Sequence, residues 1–186
     1  MEFVDAYAPE DRGVPMLRLN MVASLDGAAT LRGRSGGLGG PADQALMVVL
    51  RMLADVVIVG SGTVRAEGYQ GDLIDDAAKR WRVEHGLSPH PEFAVASRAE
   101  GQSLETLLER YRGAQILCEG GPHIFGALAA LDVIDELCLT IGPLLAGPGA
   151  GRITEGVTHP PRRMRLIHAL TVDDLVFLRY RSTVTA

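Results

Sequence analysis

The chain has 186 residues, a formal net charge of −5 and 47% hydrophobic residues. That length suits one domain. The apolar content can build a core without disulfides or metals, and low net charge with high hydrophobicity excludes a disordered chain. No apolar run approaches the roughly 18 residues of a membrane span, the acidic start at Glu2, Asp5 and Glu10 is unlike a secretory leader, and an acidic chain is a poor ligand for nucleic acid. The expectation is a cytoplasmic protein with neither membrane nor nucleic acid as a partner.

Leu17 to Val22 alternates and then turns apolar, which predicts a strand. It runs into Ser24-Leu25-Asp26-Gly27 and a glycine-rich loop from 33 to 40. Pro41 and Asp43 open a helix, and Leu46, Val49, Leu50 and Leu53 give it one apolar face. Asp55 to Val59 is short, β-branched and apolar, the pattern of a strand buried on both faces. The turn Gly60-Ser61-Gly62-Thr63 follows and leads into a short helix; residues 74–84 have partial helical character.

Phe93 to Ala96 reads as a short strand, and Ser103 caps a helix carrying Leu104, Leu107, Leu108 and Tyr111 that Gly113 is expected to end. Gln115 to Cys118 is a strand. After Glu119-Gly120-Gly121, Pro122 starts a helix expected to turn Ile124, Leu128 and Leu131 inward. Leu137 to Ile141 is another buried strand, and strands near 164–170 and 175–180 close the chain around a turn at Asp173-Asp174. Strands alternating with helices and ending in a strand pair predict an α/β protein with a mostly parallel sheet and antiparallel edge strands. Neither repeat nor linker is visible, so residues 1–186 read as one domain with its core over about 17–180.

Several segments can carry chemistry. Gly60 and Gly62 begin a dinucleotide-type turn, but Arg65 stands where the G-x-G-x-x-G fingerprint needs a small residue, so a standard Rossmann site is rejected. Glu119-Gly120-Gly121-Pro122 joins a strand to a helix N-terminus, where backbone N–H groups and the helix dipole suit an anion. Glu119 suits a polar substrate better than a phosphate. Asp26 follows a strand, though Asp-Gly is also an ordinary turn pair. Asp43 fits a helix-start acid and Arg51 a solvated charge equally well. Cys118 and Cys138 sit in apolar segments and read as buried free thiols, and no metal-ligand spacing or nucleophile–histidine pair is present. Chemistry carried by a bound cofactor fits these residues best.

Four blocks in order are more specific than each alone: NMVASLDG at 20–27, LADVVIVGSGTV at 53–64, CEGGP at 118–122 and DELCLTIGP at 135–143. Together they resemble the reductase domain of riboflavin biosynthesis, the dihydrofolate-reductase-like C-terminal half of the bifunctional deaminase-reductase. The resemblance implies a three-layer dihydrofolate-reductase-like fold, usually homodimeric, that binds NADPH and reduces 5-amino-6-(5-phosphoribosylamino)uracil by hydride transfer to C1′ of its ribosyl group. It places Ala23, Gly37, Gly60, Thr63, Glu67, Ser97, Arg98 and Gly120 to Ala127 (Gly121, Pro122, His123, Ile124, Phe125 and Gly126 between them) at the cofactor, with Arg98 at the adenosine 2′-phosphate. It places Ser35, Arg51 and Glu119 at the substrate; Asp26 and Glu119, the acids that follow strands, are the expected catalytic residues. This chain departs from the family at Gly37, a bulky aromatic in many relatives, and at Gly68-Tyr69, where Asp-Pro is common. It also lacks a match for the substrate arginine that usually follows and is shorter between Arg98 and Ser103. Two other readings stay open: a dihydrofolate or other pteridine reductase using Asp43 as its acid, and a non-catalytic NADPH- or nucleotide-binding module.

The chain carries 22 glycines, against about 13 for average usage. Six lie in 27–40, four in 60–71, three in 120–126 and five in 142–156. Each cluster follows a predicted strand, so the glycines are expected to gather at one sheet edge, where backbone can approach a ligand.

Overall fold

The computed structural model describes residues 2–69, 72–98 and 101–183. A seven-stranded sheet runs through them, built from β1 (Met16–Ala23), β2 (Val56–Gly60), β3 (Glu92–Ala96), β4 (Gln115–Cys118), β5 (Glu136–Ile141), β6 (Met164–Val172) and β7 (Leu175–Ser182). Strand order is β3-β2-β4-β1-β5-β7-β6. The first five strands pair in parallel, and β7 and β6 complete the sheet in antiparallel pairing. This is the expected α/β, dihydrofolate-reductase-like architecture.

The helices are α1 (Glu2–Tyr7), α2 (Pro41–Leu53), α3 (Ser61–Glu67), α4 (Asp76–Glu84), α5 (Leu104–Arg110) and α6 (Pro122–Leu131). Every residue of β2 is buried, which explains why Val56 to Val59 reads as an unbroken apolar run rather than an alternation. Val57 and Val59 face one way, into a core with Leu46, Leu50 and Leu53 of α2 and Tyr7 of α1. Val56 and Ile58 face the other way, into a core with Leu107 of α5 and Phe125 and Leu128 of α6. Two helical layers thus sandwich the sheet.

Three local expectations need correction. α1 was not visible in the sequence, because six residues are too few for a periodic pattern to show. α5 ends at Arg110 with Tyr111 as its C-cap, ahead of Gly113. In α6, Leu131 is 45% exposed rather than inward. The buried stripe is Phe125, Leu128 and Ala129, and six further positions at about 100° each carry Leu131 roughly 120° away from Phe125.

A parallel sheet sends every crossover out of the same edge. Ala23, Gly60, Ala96, Cys118 and Ile141 are the carboxyl ends of β1 to β5, and the glycine clusters follow four of them. The short connection after β3 is closed by the Ser97 N–H donating to the Gln102 carbonyl at 2.8 Å, directly before Ser103 caps α5. A separate polar cluster ties β5 to its neighbours. Glu136 is fully buried and accepts from Arg18 Nε at 2.8 Å, from Arg179 Nη2 at 2.6 Å and from Arg181 Nη2 at 3.1 Å.

Candidate active site

Two cavities open at the carboxyl edge, and they meet. The larger has a volume of about 710 Å³, within the usual range for cofactor sites. The turn Gly60 to Thr63 and the start of α6 form one side of it. Ser97, Arg98 and Leu104 lie along another, and Thr30, Gly33 and Ser35 come from the loop after β1. Its backbone walls are close to each other. A Cβ on Gly60 would stand 2.8 Å from Ile124 Cδ1, and one on Gly121 would stand 2.8 Å from Thr63 Oγ1. Glycine at both positions leaves these side chains where they stand, and the Gly60 N–H donates to the Gly120 carbonyl at 2.7 Å, joining the end of β2 to the turn before α6. α6 follows its N-cap Gly121 with no side-chain cap, and Gly121, Pro122, His123 and Ile124 line the cavity, so the positive end of the helix dipole lies at it, a disposition that suits an anionic group. Arg98 adds an exposed guanidinium at the β3 side.

The smaller cavity, about 310 Å³, lies between β1 and α2. Met21, Ser35 and Glu67 line both cavities and mark the boundary. Glu67 holds that boundary in place: its Oε1 accepts from the Ser35 N–H at 2.8 Å and from Ser35 Oγ at 3.0 Å, latching the β1 loop to α3. In the smaller cavity Arg51 grips Glu119 with two hydrogen bonds, Nε to Oε1 at 2.6 Å and Nη2 to Oε2 at 2.7 Å. Tyr69 donates its hydroxyl to Glu119 Oε2 at 2.7 Å and lies under the Arg51 guanidinium, 5.5 Å from ring centroid to Cζ. Burial, and then the Glu119 carboxylate, push the Tyr69 phenol well above its ordinary range, so it stays a donor. Burial opposes the charge on Arg51, but Glu119 outweighs it and the guanidinium is held charged. Asp43, half-buried, lines the same cavity; desolvation pushes its carboxyl up, and the neighbouring Thr140 hydroxyl offsets this only in part.

Ten of the residues placed at the cofactor by resemblance line the larger cavity: Gly60, Thr63, Glu67, Ser97, Arg98, Gly121, Pro122, His123, Ile124 and Ala127. Five line neither cavity. Ala23 is buried, and its carbonyl accepts from the Gly142 N–H at 2.8 Å. Gly37 rests against Leu31. Gly120 stands behind the cavity wall, with its carbonyl accepting from the Gly60 N–H at 2.7 Å. Phe125 is fully buried in the core, and a Cβ on Gly126 would overlap the Glu155 carbonyl. The reason is helical: a contiguous block on α6 cannot turn every residue toward one ligand, and its 125–126 face belongs to the interior. Ser35, Arg51 and Glu119 do gather in the smaller cavity.

Asp26 lies outside both cavities, a correction to its catalytic placing. Its carboxylate accepts from Ser24 Oγ at 2.5 Å and from the N–H groups of Ala146 and Gly147 at 3.0 and 2.8 Å. These bonds, the Ser24 hydroxyl foremost, hold it down at about 2. It staples the loop after β1 to the loop after β5. The glycine expectation is likewise refined. Gly33, Gly36, Gly40, Gly60, Gly62, Gly68 and Gly121 line the cavities, whereas Gly126 and Gly142 are packing contacts, a Cβ on Gly142 overlapping the Leu38 carbonyl. Tyr69 and Asn20 also line the smaller cavity, and sequence reasoning placed neither there. The signals for Tyr69 were the departure from the family at Gly68-Tyr69 and an aromatic directly after a glycine, here the left-handed C-cap of α3.

Comparison with known proteins agrees with this fold. The RibD C-terminal domain family profile matches residues 15–178. No curated protein matches the chain. Among solved structures, a pyrimidine reductase-like protein from Corynebacterium diphtheriae superposes with a TM-score of 0.85 at 22% identity, over 99% of this chain and 98% of its own. A diaminohydroxyphosphoribosylaminopyrimidine deaminase/5-amino-6-(5-phosphoribosylamino)uracil reductase from Thermotoga maritima gives 0.66 at 19% identity, over 97% of this chain and 60% of that longer one. Dihydrofolate reductase from Enterococcus faecalis, complexed with NADP(H) and RAB-propyl, gives 0.59 at 14% identity over 93% of this chain and 98% of that chain.

Proposed function

Because the chain belongs to the RibD C-terminal domain family, the reductase family of riboflavin biosynthesis, we propose that it is an NADPH-dependent reductase whose substrate is a phosphoribosylaminopyrimidine of the 5-amino-6-(5-phosphoribosylamino)uracil type. The observation that carries this reading is the pair of cavities sharing Met21, Ser35 and Glu67. A dinucleotide in the larger cavity places its nicotinamide end at that boundary, next to whatever occupies the smaller one. In this reading the whole chain is one reductase domain, acting in the cytoplasm as a homodimer; the family resemblance is the support for that assembly.

The residues present suit NADPH. The uncapped start of α6 accommodates its pyrophosphate, and Arg98 beside Ser97 supplies the charge for an adenosine 2′-phosphate. Bound NADPH would supply a hydride to C1′ of the ring-opened sugar, with a proton completing the adjacent nitrogen, so that ribosyl becomes ribityl and NADPH becomes NADP⁺. The protein's part is to orient two molecules and exclude water, which can account for a large share of the rate. Glu67 and Ser35 fix the boundary where they meet. Arg51, Glu119 and Tyr69 form a pre-arranged polar end of the substrate cavity, and its carboxylate can accept hydrogen bonds from a polar substrate without further desolvation.

The test is NADPH oxidation, followed by absorbance, with 5-amino-6-(5-phosphoribosylamino)uracil. Substrate-dependent oxidation is expected. Tight NADPH binding without turnover would instead identify a non-catalytic nucleotide-binding module. The half-buried Asp43 in the smaller cavity favours one second reading, a pteridine reductase; faster turnover with dihydrofolate would select it.

A further inference from the structure

The charges that line the smaller cavity do not balance. Asp43, Glu67, Asp72 and Glu119 accompany a single cation, Arg51. All three nitrogens of that guanidinium are engaged: Nε and Nη2 hold Glu119, and Nη1 donates to the Leu73 carbonyl at 3.0 Å. An anion that took Arg51 for itself would strand the buried Glu119 carboxylate. Lys79 stands beside the rim, where its Nζ meets Asp72 at 2.5 Å and Asp76 at 3.0 Å; His90 Nδ1 is 4.0 Å from the same Asp72. The amino end of α2 reaches the cavity at Gly40, but Pro41 brings no N–H. The Asp43 carboxyl also folds back over that helix start, so that a Cβ on Gly39 would stand 2.5 Å from its Oδ2. Each of the other carboxylates has its own donor, Arg51 for Glu119, Lys79 for Asp72 and Ser35 for Glu67, so nothing calls for a bound cation. With Asp43 neutral, which desolvation favours, three carboxylates against Arg51 and Lys79 leave one negative charge in excess.

We propose that the smaller cavity selects an uncharged substrate body, an aminopyrimidine with a neutral sugar chain, and seats no phosphate. This deepens the proposed function and rests on the smaller cavity being the substrate chamber. A phosphorylated substrate keeps its phosphate outside, in water, where counter-ions screen the repulsion over about 8–10 Å. The same compound without its phosphate therefore enters at least as well. Charge also sorts the two ligands. The larger cavity offers an anion the positive end of α6 and the Arg98 guanidinium. Among the described residues that line the smaller one, the one cation is already held by a carboxylate. An anionic dinucleotide is thus directed to the first cavity and turned away from the second.

The experiment compares 5-amino-6-(5-phosphoribosylamino)uracil with 5-amino-6-(ribosylamino)uracil, the same compound without its phosphate. It uses the full chain saturated with NADPH at about pH 8, where histidine is neutral. The kcat/KM for the dephosphorylated compound should equal that for the phosphorylated one or exceed it by up to about tenfold. A seated phosphate, held by even one charge-assisted contact, would favour the phosphorylated compound by about tenfold or more, and any preference for it above about threefold overturns the proposal. Salt gives a second reading. Between about 0.05 and about 0.5 M NaCl, the KM of the phosphorylated compound relative to the other should hold or fall, because screening removes repulsion. A relative KM that rises with salt marks a cationic subsite and overturns the proposal as well. Failure of the proposed function reads differently, since neither compound would then oxidise NADPH. Calorimetry on the NADP⁺-loaded chain still decides the inference in that case: equal or tighter binding of the dephosphorylated compound supports it. Binding that favours the phosphorylated compound by more than about threefold, or binding of neither, overturns it.

Discussion

Glu119→Gln is the substitution that separates the two cavities energetically. The Glu119 side chain is 3% exposed and that of Arg51 11%, and three hydrogen bonds converge on the carboxylate. Gln keeps one oxygen, but it presents an amide N–H where an arginine donor points, and Arg51 loses its counter-charge. Breaking a buried pair costs about 3–5 kcal/mol. Arg51 retains its bond to the Leu73 carbonyl at 3.0 Å and some contact with water, which points to the lower end, about 3 kcal/mol. For a chain of this size that corresponds to a Tm lower by about 6–12 °C. In catalysis, loss of one hydrogen bond to a charged group, about 1.5–3 kcal/mol, lowers kcat/KM for the pyrimidine substrate by about 10- to 150-fold. Glu119 lines the smaller cavity and not the larger, so the NADPH Kd should move less than twofold on the folded protein (about 0.4 kcal/mol). Steady-state kinetics, fluorescence titration with NADPH and thermal unfolding on one preparation test all three. A Kd for NADPH that weakens in step with kcat/KM would refute the division into two chambers.

Arg98→Ala should weaken NADPH by about tenfold while leaving NADH unchanged, the size of one charge-assisted contact; titration with both nucleotides measures it, and an unaltered NADPH Kd removes Arg98 from the site. Glu136→Gln should destabilise by about 3–5 kcal/mol in urea unfolding, because Arg18 and Arg179 would remain buried without their shared carboxylate. The same carboxyl sets a pH dependence. Burial raises it, but Arg18 and Arg179 outweigh burial and hold it below its ordinary range. Its contribution is therefore complete above the unfolded glutamate value near about 4.3 and is lost as pH falls through the lower folded value. Wild-type stability should drop on acidification from about pH 4.5 downward, and the drop should be smaller in Glu136→Gln. Cys118 and Cys138 are buried, and burial pushes both thiols up to about 12, so a thiol reagent at neutral pH should label them only after unfolding.

The layered fold was legible in the residues because burial leaves periodic traces. The β-branched run at 56–59 marks a strand covered on both faces, and the i, i+3, i+4, i+7 set of α2 marks a helix with one dry side. α1 left no such trace, being too short to repeat. The ordered blocks identified the family, and glycines behind successive strands pointed to one edge, since parallel strands must all end there.

Side-chain direction and pairing across the chain were not legible, because neither is local. Residues 122–127 form one sequence block, yet the helical period sends His123 and Ile124 to the cavity and Phe125 to the core. Asp26 and Glu119 both follow strands, but Asp26 meets two backbone N–H groups 120 and 121 residues away, while Glu119 meets Arg51 and Tyr69. By itself the sequence determined the architecture, the family and the edge where the glycine-rich loops gather, because these follow from local periodicity and order. Only the tertiary structure decided which acid lines a cavity and which one staples two loops, because a polar group's surroundings depend on partners that the fold brings from elsewhere in the chain.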